Sequence, residues 1–341
     1  MTIQTTSAIR SLIADQPPVL QNRADWPRLR RRDSADAPPC GIDGDGITLA
    51  RWIRSIGPIE TSDIQTIEND MRKLLDHNAT SVNAGRRWVA INGPSLVGKT
   101  QATTAAMLRI HDDLLKHPHD PGKGIRAEHI PVVFVSDAGA SWPTLLRAIG
   151  AFASVPNTRL ATGADMLRQL RTVLPSIGTR MIVVDDAHML RRVGAARDLT
   201  DNLKMTVDAL PVSFVFVGAG LENSALLRRT DRSEDEYSAA VQLAGRMYRR
   251  DLMPFVDTDK TQMRAWHRRI GALIGRLELI DGLDSSELRD ATFAANLFHA
   301  SGGRTGLSLE LLKDATIAAI AHRRSPTVND LIFESKRKAT E

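Results

Sequence analysis

Short apolar runs alternate with amphipathic stripes through the middle of the chain. Four runs are rich in β-branched residues and nearly continuously apolar, which is typical of strands in a parallel sheet that is covered on both faces. These runs cover residues 88–91, 130–136, 180–186 and 213–220. Apolar residues recur with helical spacing between them, over residues 101–116, 141–152, 162–173 and 196–210. The alternation predicts an α/β fold with a doubly wound parallel sheet.

The pattern changes on either side of this region. Before it, residues 1–60 are rich in Pro, Asp and Arg and show little periodicity, so we expect an irregular N-terminal arm. Ser62 and Gln65 match a capping box at the start of the first helix. Only helical stripes follow residues 249–256. We therefore predict an arm, an α/β domain and a smaller all-α domain, over residues 1–60, 61–256 and 257–341.

The composition agrees with a folded chain and limits its partners. Of the 341 residues, 42% are hydrophobic and 25% are charged, which is typical of a globular protein with a core. The single cysteine, Cys40, excludes an internal disulfide, and we see no signal peptide or membrane span, so a cytoplasmic location is expected. The net charge of +5 permits polyanion binding, while an aromatic content of 4% argues against stacking on single-stranded nucleic acid. Contacts to duplex DNA would therefore be mainly to phosphates.

The first predicted strand leads into the segment GPSLVGKTQ, which matches the phosphate-loop pattern G-x-x-x-x-G-K-[ST] at every fixed position. Gly93 and Gly98 allow the backbone to wrap closely around phosphates with its amides pointing inward. The helix that starts near Lys99 presents its positive end to the anion, and Lys99 adds a point charge for the β- and γ-phosphates. The predicted ATP-binding residues are Gly93, Pro94, Ser95, Leu96, Val97, Gly98, Lys99, Thr100 and Gln101.

Two acidic residues follow another predicted strand, at the end of the apolar run in MIVVDDAH. Asp185 is the predicted ligand in the shell of a Mg²⁺ ion, together with the hydroxyl of Thr100. Asp186 stands where a general base would polarise the attacking water. Its side chain is one methylene shorter than the Glu common in hydrolytic relatives. The site therefore predicts an ATPase that uses ATP and Mg²⁺ and turns over slowly.

Beyond these generic motifs, the chain resembles transposition-associated ATPases of the TniB/TnsC type, which are part of the initiator-like group of AAA+ ATPases. The resemblance spans residues 61–331 and rests on five segments. They read INGPSLVGKT, RMIVVDDAHML, DNLKMTVDALPVSFVFVGAG, LAGRMYRRDLMPF and ASGGRTGLSLELLKDA. The resemblance implies a P-loop NTPase fold in which residues 257–341 form a helical lid.

The same resemblance implies roles for residues outside the phosphate loop. Arg246 is similar to an arginine that reaches the nucleotide of a neighbouring subunit, with Arg249 and Arg250 as alternatives. Arg304, at the start of a lid helix, resembles a second sensor that couples the lid to the phosphates. Ala219 stands where relatives often carry a Thr that senses the γ-phosphate, and alanine has no hydroxyl to do so.

By this resemblance, the protein is expected to form a ring or filament of identical subunits on duplex DNA when ATP is bound, with contacts that do not depend on sequence. It would recruit or activate a DDE-type transposase and a target-selecting protein, and ATP hydrolysis would release the assembly. Candidate DNA contacts are the loop at 136–142 and residues Arg191 and Arg192. Two alternatives share the nucleotide motifs: a signalling or defence NTPase that switches protein partners, and an assembly module with little hydrolysis.

Overall fold

A computed structural model of the protein describes residues 19–31, 37–81, 86–117, 119, 128–136, 141–156, 158–187, 196–221 and 245–340. The strands are β1 (Trp88–Asn92), β2 (Val132–Val135), β3 (Met181–Val184), β4 (Ser213–Gly218) and β5 (Met247–Asp251). They form one parallel sheet in the order β2-β3-β4-β1-β5, so the first strand lies between the fourth and the fifth. Every residue of β1 to β4 is buried, which requires cover on both faces. The sheet confirms the predicted α/β class.

Helices connect and cover these strands. In the chain up to β4 they are α1 (Trp26–Arg31), α2 (Gly46–Ser55), α3 (Ser62–Thr80), α4 (Lys99–Leu115), α5 (Trp142–Phe152), α6 (Gly163–Ser176) and α7 (Ala196–Ala209). After β5 come α8 (Lys260–Leu277), α9 (Ala291–Ser301), α10 (Thr305–Ile320) and α11 (Val328–Thr340). None of the described helices is both long and apolar enough to cross a membrane.

The start of α3 differs from the predicted capping box. Thr61, with an extended backbone, is the N-cap residue, and its hydroxyl accepts a hydrogen bond from the amide of Ile64 at 3.3 Å. Ser62 is already helical, and the Gln65 side chain donates to Glu60. The predicted N-cap position was wrong by one residue. Thr and Ser are both good N-cap residues, and the backbone conformation decides which of the two caps the helix.

Buried side chains form two separate hydrophobic clusters. The first surrounds the sheet and includes the aromatic side chains of Trp88, Phe134, Phe214 and Phe216. The second lies among the helices after β5 and includes Trp266, Leu273, Phe293 and Leu312. One hydrophobic core thus lies around the sheet and another among the helices; the domain bounds stay a prediction.

The expectation of an irregular arm over residues 1–60 needs correction in the described part of that segment. The carboxylate of Asp45 caps α2, and its Leu49 and Ile53 are fully buried in the second cluster. Trp26 of α1 is 1% exposed and packs in the first cluster. Pro and Asp dominate the local composition, but a few apolar side chains one helical turn apart are enough to anchor short helices to an existing core.

Candidate nucleotide-binding site

The loop after β1 has the backbone shape that the phosphate-loop pattern predicts. Gly93 and Gly98 both have positive φ angles, of 153° and 99°, and Gly98 caps α4 in the left-handed conformation. A Cβ atom at residue 93 would lie 2.1 Å from the carbonyl oxygen of Leu252, whereas a Cβ at residue 98 would meet no described heavy atom within 4 Å. Glycine is therefore required at 93 by close backbone approach and at 98 by the backbone angle.

The Lys99 side chain lies inside this loop. Its ammonium donates to the carbonyl oxygens of Gly93 and Pro94 at 2.9 and 2.7 Å, and the residue is only 9% exposed. Burial lowers the pKa of Lys99, and the carboxylates of Asp185 and Asp186 offset part of this effect. The loop thus holds a partly desolvated cation, which an anion in the loop would stabilise.

The predicted metal ligands meet at the carboxyl end of β3. Asp185 is 4% exposed, and burial raises its pKa; hydrogen bonds from the amide of Asp186, at 2.9 Å, and from the Thr100 side chain act in the opposite direction. A hydroxyl and a carboxylate side by side are hard oxygen ligands of the kind that Mg²⁺ prefers, with phosphate and water oxygens completing its shell. The residues present therefore fit a magnesium ion.

Asp186 differs from its neighbour in exposure and backbone shape. It is exposed and has a left-handed φ of 50°, which is uncommon for a residue with a side chain. The turn points the Asp186 amide back at the Asp185 carboxylate. The two adjacent acids are thus separated into a buried group beside Thr100 and a solvent-accessible group, as ligand and base roles require.

Asn92, which lies outside the phosphate-loop pattern, joins three strand ends beside the loop. It is 4% exposed; its amide group donates to Asp251 at 2.9 Å and accepts from the amide of Leu221 at 3.0 Å. Its backbone oxygen accepts from the amide of Leu252 at 2.8 Å. The sequence carried one signal for Asn92, which is a polar residue at the end of the strand WVAIN. A buried side-chain amide needs hydrogen-bond partners, so such a residue predicts contacts to neighbouring segments.

The all-α domain contacts the phosphate loop directly. The amide of Leu307, in the first turn of α10, donates to the carbonyl of Leu96 at 3.0 Å. A Cβ at Gly306 would lie 2.5 Å from that same carbonyl oxygen, so the two backbones touch. Just before α10, Gly303 has a φ of 70°, and a Cβ there would be 2.2 Å from the carbonyl of Phe255. The all-α domain therefore packs directly on the phosphate loop, and its role as a lid stays a prediction.

A cleft of about 660 Å³ opens between the loop and the lid. Its volume is in the range of small-molecule sites. Its walls come from the phosphate loop and α4, from the lid, and from segments that precede α3. They include Val97, Gly98, Gln101, Arg269, Thr305, Gly306, Leu20, Leu29, Ile56 and Ile59. Part of the N-terminal arm thus forms one side of the cleft.

The two predicted arginines lie in different parts of the protein. Arg304 is the N-cap residue of α10 and is half-buried, but the lid arginine among the described cleft residues is Arg269. Arg246 precedes β5 and pairs with Asp208 at 2.8 Å. It lies beside the start of β1, at the opposite end of the sheet from the phosphate loop. A role of Arg246 at the neighbouring subunit's nucleotide stays a prediction.

Other predicted positions are the two alternatives to Arg246, the position after β4 and the candidate DNA contacts. Arg249 pairs with Asp251, and Arg250 pairs with Asp70 of α3, so both alternatives to Arg246 are held within the chain. Ala219 follows β4, the strand next to the phosphate-loop strand. Most of the candidate DNA loop, together with Arg191 and Arg192, lies outside the described residues.

Comparison with solved structures shows which fold surrounds the site. Aeropyrum pernix ORC2, solved as ADPNP and ADP complexes, is 16% identical and has a TM-score of 0.55, with 90% of this chain and 71% of that chain covered. Aeropyrum pernix ORC1 in complex with DNA is 15% identical, with a TM-score of 0.57 and coverage of 85% and 69%. Drosophila ORC bound to DNA is 13% identical, with a TM-score of 0.52 and coverage of 100% and 74%.

No curated protein matches the chain. At these identities, the likeness to the ORC proteins shows the fold alone, which is that of AAA+ P-loop ATPases with a C-terminal helical region. The match to a family is more specific. The model of the family described as bacterial TniB protein matches residues 50–235, from α2 through the phosphate loop to beyond β4. This stretch is more than half of the chain, and the protein therefore belongs to the TniB family.

Proposed function

We propose that this protein is an ATP-dependent AAA+ regulator of DNA transposition that assembles on duplex DNA. The observation that carries the nucleotide part is the arrangement around the loop: Lys99 inside it, Thr100 bonded to the buried Asp185, and the lid in contact with Leu96. Groups of this kind bind a nucleoside triphosphate together: a lysine binds the phosphates, and a hydroxyl and a carboxylate hold the metal ion. Membership of the TniB family supports the transposition part.

In this proposal, the loop amides and the first turn of α4 hold the phosphates. Lys99 leaves the carbonyls of Gly93 and Pro94 and turns to the β- and γ-phosphates, which compensate its charge better than neutral carbonyls do. Thr100 and Asp185, which are hydrogen-bonded to each other, would hold a Mg²⁺ ion, which would supply positive charge beside the phosphates. Asp186, exposed and short, orients the attacking water, and we expect slow hydrolysis.

Assembly on DNA is the second part of the proposal. ORC1 of Aeropyrum pernix and Drosophila ORC have the same fold and were solved with DNA. The net charge of +5 agrees with contacts to a phosphate backbone. Arg246 lies at the opposite end of the sheet from the phosphate loop of its own chain and pairs with Asp208, so in this proposal it leaves that pair to reach another subunit's nucleotide. We propose that ATP stabilises the assembly, that the assembly recruits a DDE-type transposase and a target-selecting protein, and that hydrolysis releases it.

The first test is negative-stain imaging of the protein with linear duplex DNA, with ATP and without nucleotide, beside the Lys99→Ala variant. We expect rings or filaments on DNA only for the unaltered protein with ATP. A protein that remains monomeric and ignores DNA in both states would contradict the proposal and favour a nucleotide switch that acts on protein partners. ATP turnover measured in the same samples separates a hydrolysing assembly from one that only binds.

The trans role of Arg246 has its own test. If Arg246 acts across the interface, Arg246→Ala and Lys99→Ala should each be inactive alone, while an equal mixture regains activity at about a quarter of its interfaces. Asp208→Asn is the matched control, since it breaks the same ion pair but keeps the arginine. Activity lost equally in Asp208→Asn would show that the ion pair, and not a trans contact, is what matters.

A further inference from the structure

One buried arginine joins the two domains beside the cleft. Arg269 of α8 pairs with the carboxylate of Asp63 in α3 at 2.8 Å and donates to the hydroxyl of Thr305 in α10 at 3.2 Å. Its guanidinium also lies over the ring of Phe255, 4.7 Å from the ring centre, in the segment that links β5 to the lid. We call these four residues the lid latch. They bring together the core, the linker and two lid helices.

The latch differs from the ion pairs on the protein surface. The Arg269 side chain is only 8% exposed, and the Asp63 side chain is 35% exposed. Exposed pairs contribute little because water screens them, but a cation that has lost its water depends strongly on its remaining partners. Stacking on an aromatic ring adds to the attraction and fixes the plane of the guanidinium. Arg269 therefore holds a defined geometry between α3 and α10.

That geometry extends to the phosphate loop within two residues. Thr305, which accepts the hydrogen bond from Arg269, is followed by Gly306 and Leu307, and these contact the carbonyl of Leu96. Asp63, Arg269 and Thr305 also line the cleft. Gly98 and Gln101, which lie on either side of Lys99 and Thr100, line the same cleft. A change in the latch must therefore change how the first turn of α10 rests on the loop.

We propose that Arg269 is a positioning residue that sets nucleotide affinity by holding the lid on the phosphate loop through Asp63. The inference rests on the proposed nucleotide site and deepens it. In this proposal Arg269 acts through Thr305 and α10, since the partners of its guanidinium are Asp63, Thr305 and Phe255. Loss of the Asp63 carboxylate frees α10 from the core, so the cleft spends less time in the shape that encloses a nucleotide.

The test compares Asp63→Asn with Asp63→Glu and with Arg289→Gln. The glutamate variant keeps the charge, and Arg289→Gln breaks an exposed ion pair with Glu278 that lies elsewhere in the lid. We expect Asp63→Asn to bind methylanthraniloyl-ADP about tenfold more weakly, a difference measured by fluorescence titration. Asp63→Glu should recover most of this loss, and Arg289→Gln should bind like the unaltered protein.

Hydrogen exchange provides the readout that a general loss of stability would not give. In Asp63→Asn without nucleotide, the amide of Leu307 should exchange faster, while amides of β1 and β3 keep their protection. An unchanged exchange rate at the Leu307 amide would overturn the proposal, and so would a uniform loss of protection across the core. If the unaltered protein binds no nucleotide, the proposed function fails, but the exchange comparison still decides whether Asp63 holds the lid on the loop.

Discussion

Two walls of the cleft, one from the α/β domain and one from the lid, are built in different ways. The core wall is one continuous stretch, from the end of the phosphate loop into α4, and Asp185 at the end of β3 lies beside this stretch through its hydrogen bond with Thr100. The lid wall comes from separate places, which are Arg269 in α8 and the first turn of α10, and Phe255 of the linker packs against Arg269. The first wall is determined by local backbone shape and the second by tertiary contacts. Variants in the two walls should therefore fail in different ways.

The largest effect is expected in the core wall. Lys99→Ala should lower ATP turnover by about 10³-fold, because the loop loses the only side-chain cation that its own motif supplies to the phosphates. The fold should remain, since Lys99 is buried with a lowered pKa and its removal relieves a desolvation cost. Turnover and thermal unfolding would be measured on the same preparation. A large drop in unfolding temperature would show that the two walls do not differ as we propose.

In the lid wall, the expected failure is structural. Gly303→Ala should destabilise the protein by about 3 kcal/mol, since the new Cβ meets the Phe255 carbonyl and the backbone has a positive φ. Gly302→Ala is the matched control. It also has a positive φ, of 56°, but meets no described heavy atom within 4 Å, so about 1 kcal/mol is expected. Chemical unfolding measures both variants, and equal losses would remove the close contact as the cause.

A smaller effect concerns an acid that stabilises the lid. The guanidinium of Arg324 and the Thr327 hydroxyl and amide lower the pKa of Asp330 to about 2. Because the pKa is lowered on folding, the stabilisation is present above pH 4 and is lost as the pH falls toward 2. Asp330→Asn should therefore cost about 1–2 kcal/mol at pH 7, allowing for the solvent around Arg324. The difference from the unaltered protein should shrink as the pH falls through this pKa in acid unfolding.

The buried acid beside the phosphate loop, Asp185, should behave in the opposite way. Burial raises the pKa of Asp185, so its protonated form favours folding, and that contribution is lost as the pH rises through the raised pKa. At pH 7, without nucleotide or metal, Asp185→Asn should stabilise the protein by about 1 kcal/mol while abolishing Mg²⁺-dependent turnover. Thermal unfolding at pH 5 and pH 7 checks the direction. Destabilisation at pH 7 would mean that the hydrogen bonds to Asp185 outweigh its burial.

The difference between the walls also explains what could be predicted from the sequence. The strands, the phosphate loop and the Asp pair were visible because apolar runs and the fixed Gly and Lys positions act over a few neighbouring residues. The roles of Arg269 and Asn92 were not visible, since both depend on partners far away in the chain. Helix α2 could not be predicted for the same reason, because its Leu49 and Ile53 are buried by helices from the C-terminal part of the chain.

The contact between Gly93 and Leu252 has a consequence for the divergence of related sequences. Leu252 is the first residue after β5, where the chain leaves the sheet toward the lid, and its carbonyl occupies the space that a side chain at residue 93 would need. A descendant that replaced this glycine would have to shift the exit of the last strand at the same time. Substitutions at residues 93 and 252 should therefore be correlated among related sequences. A lid grafted from a distant relative should be tolerated only when its joining segment preserves the close approach of Leu252 to Gly93.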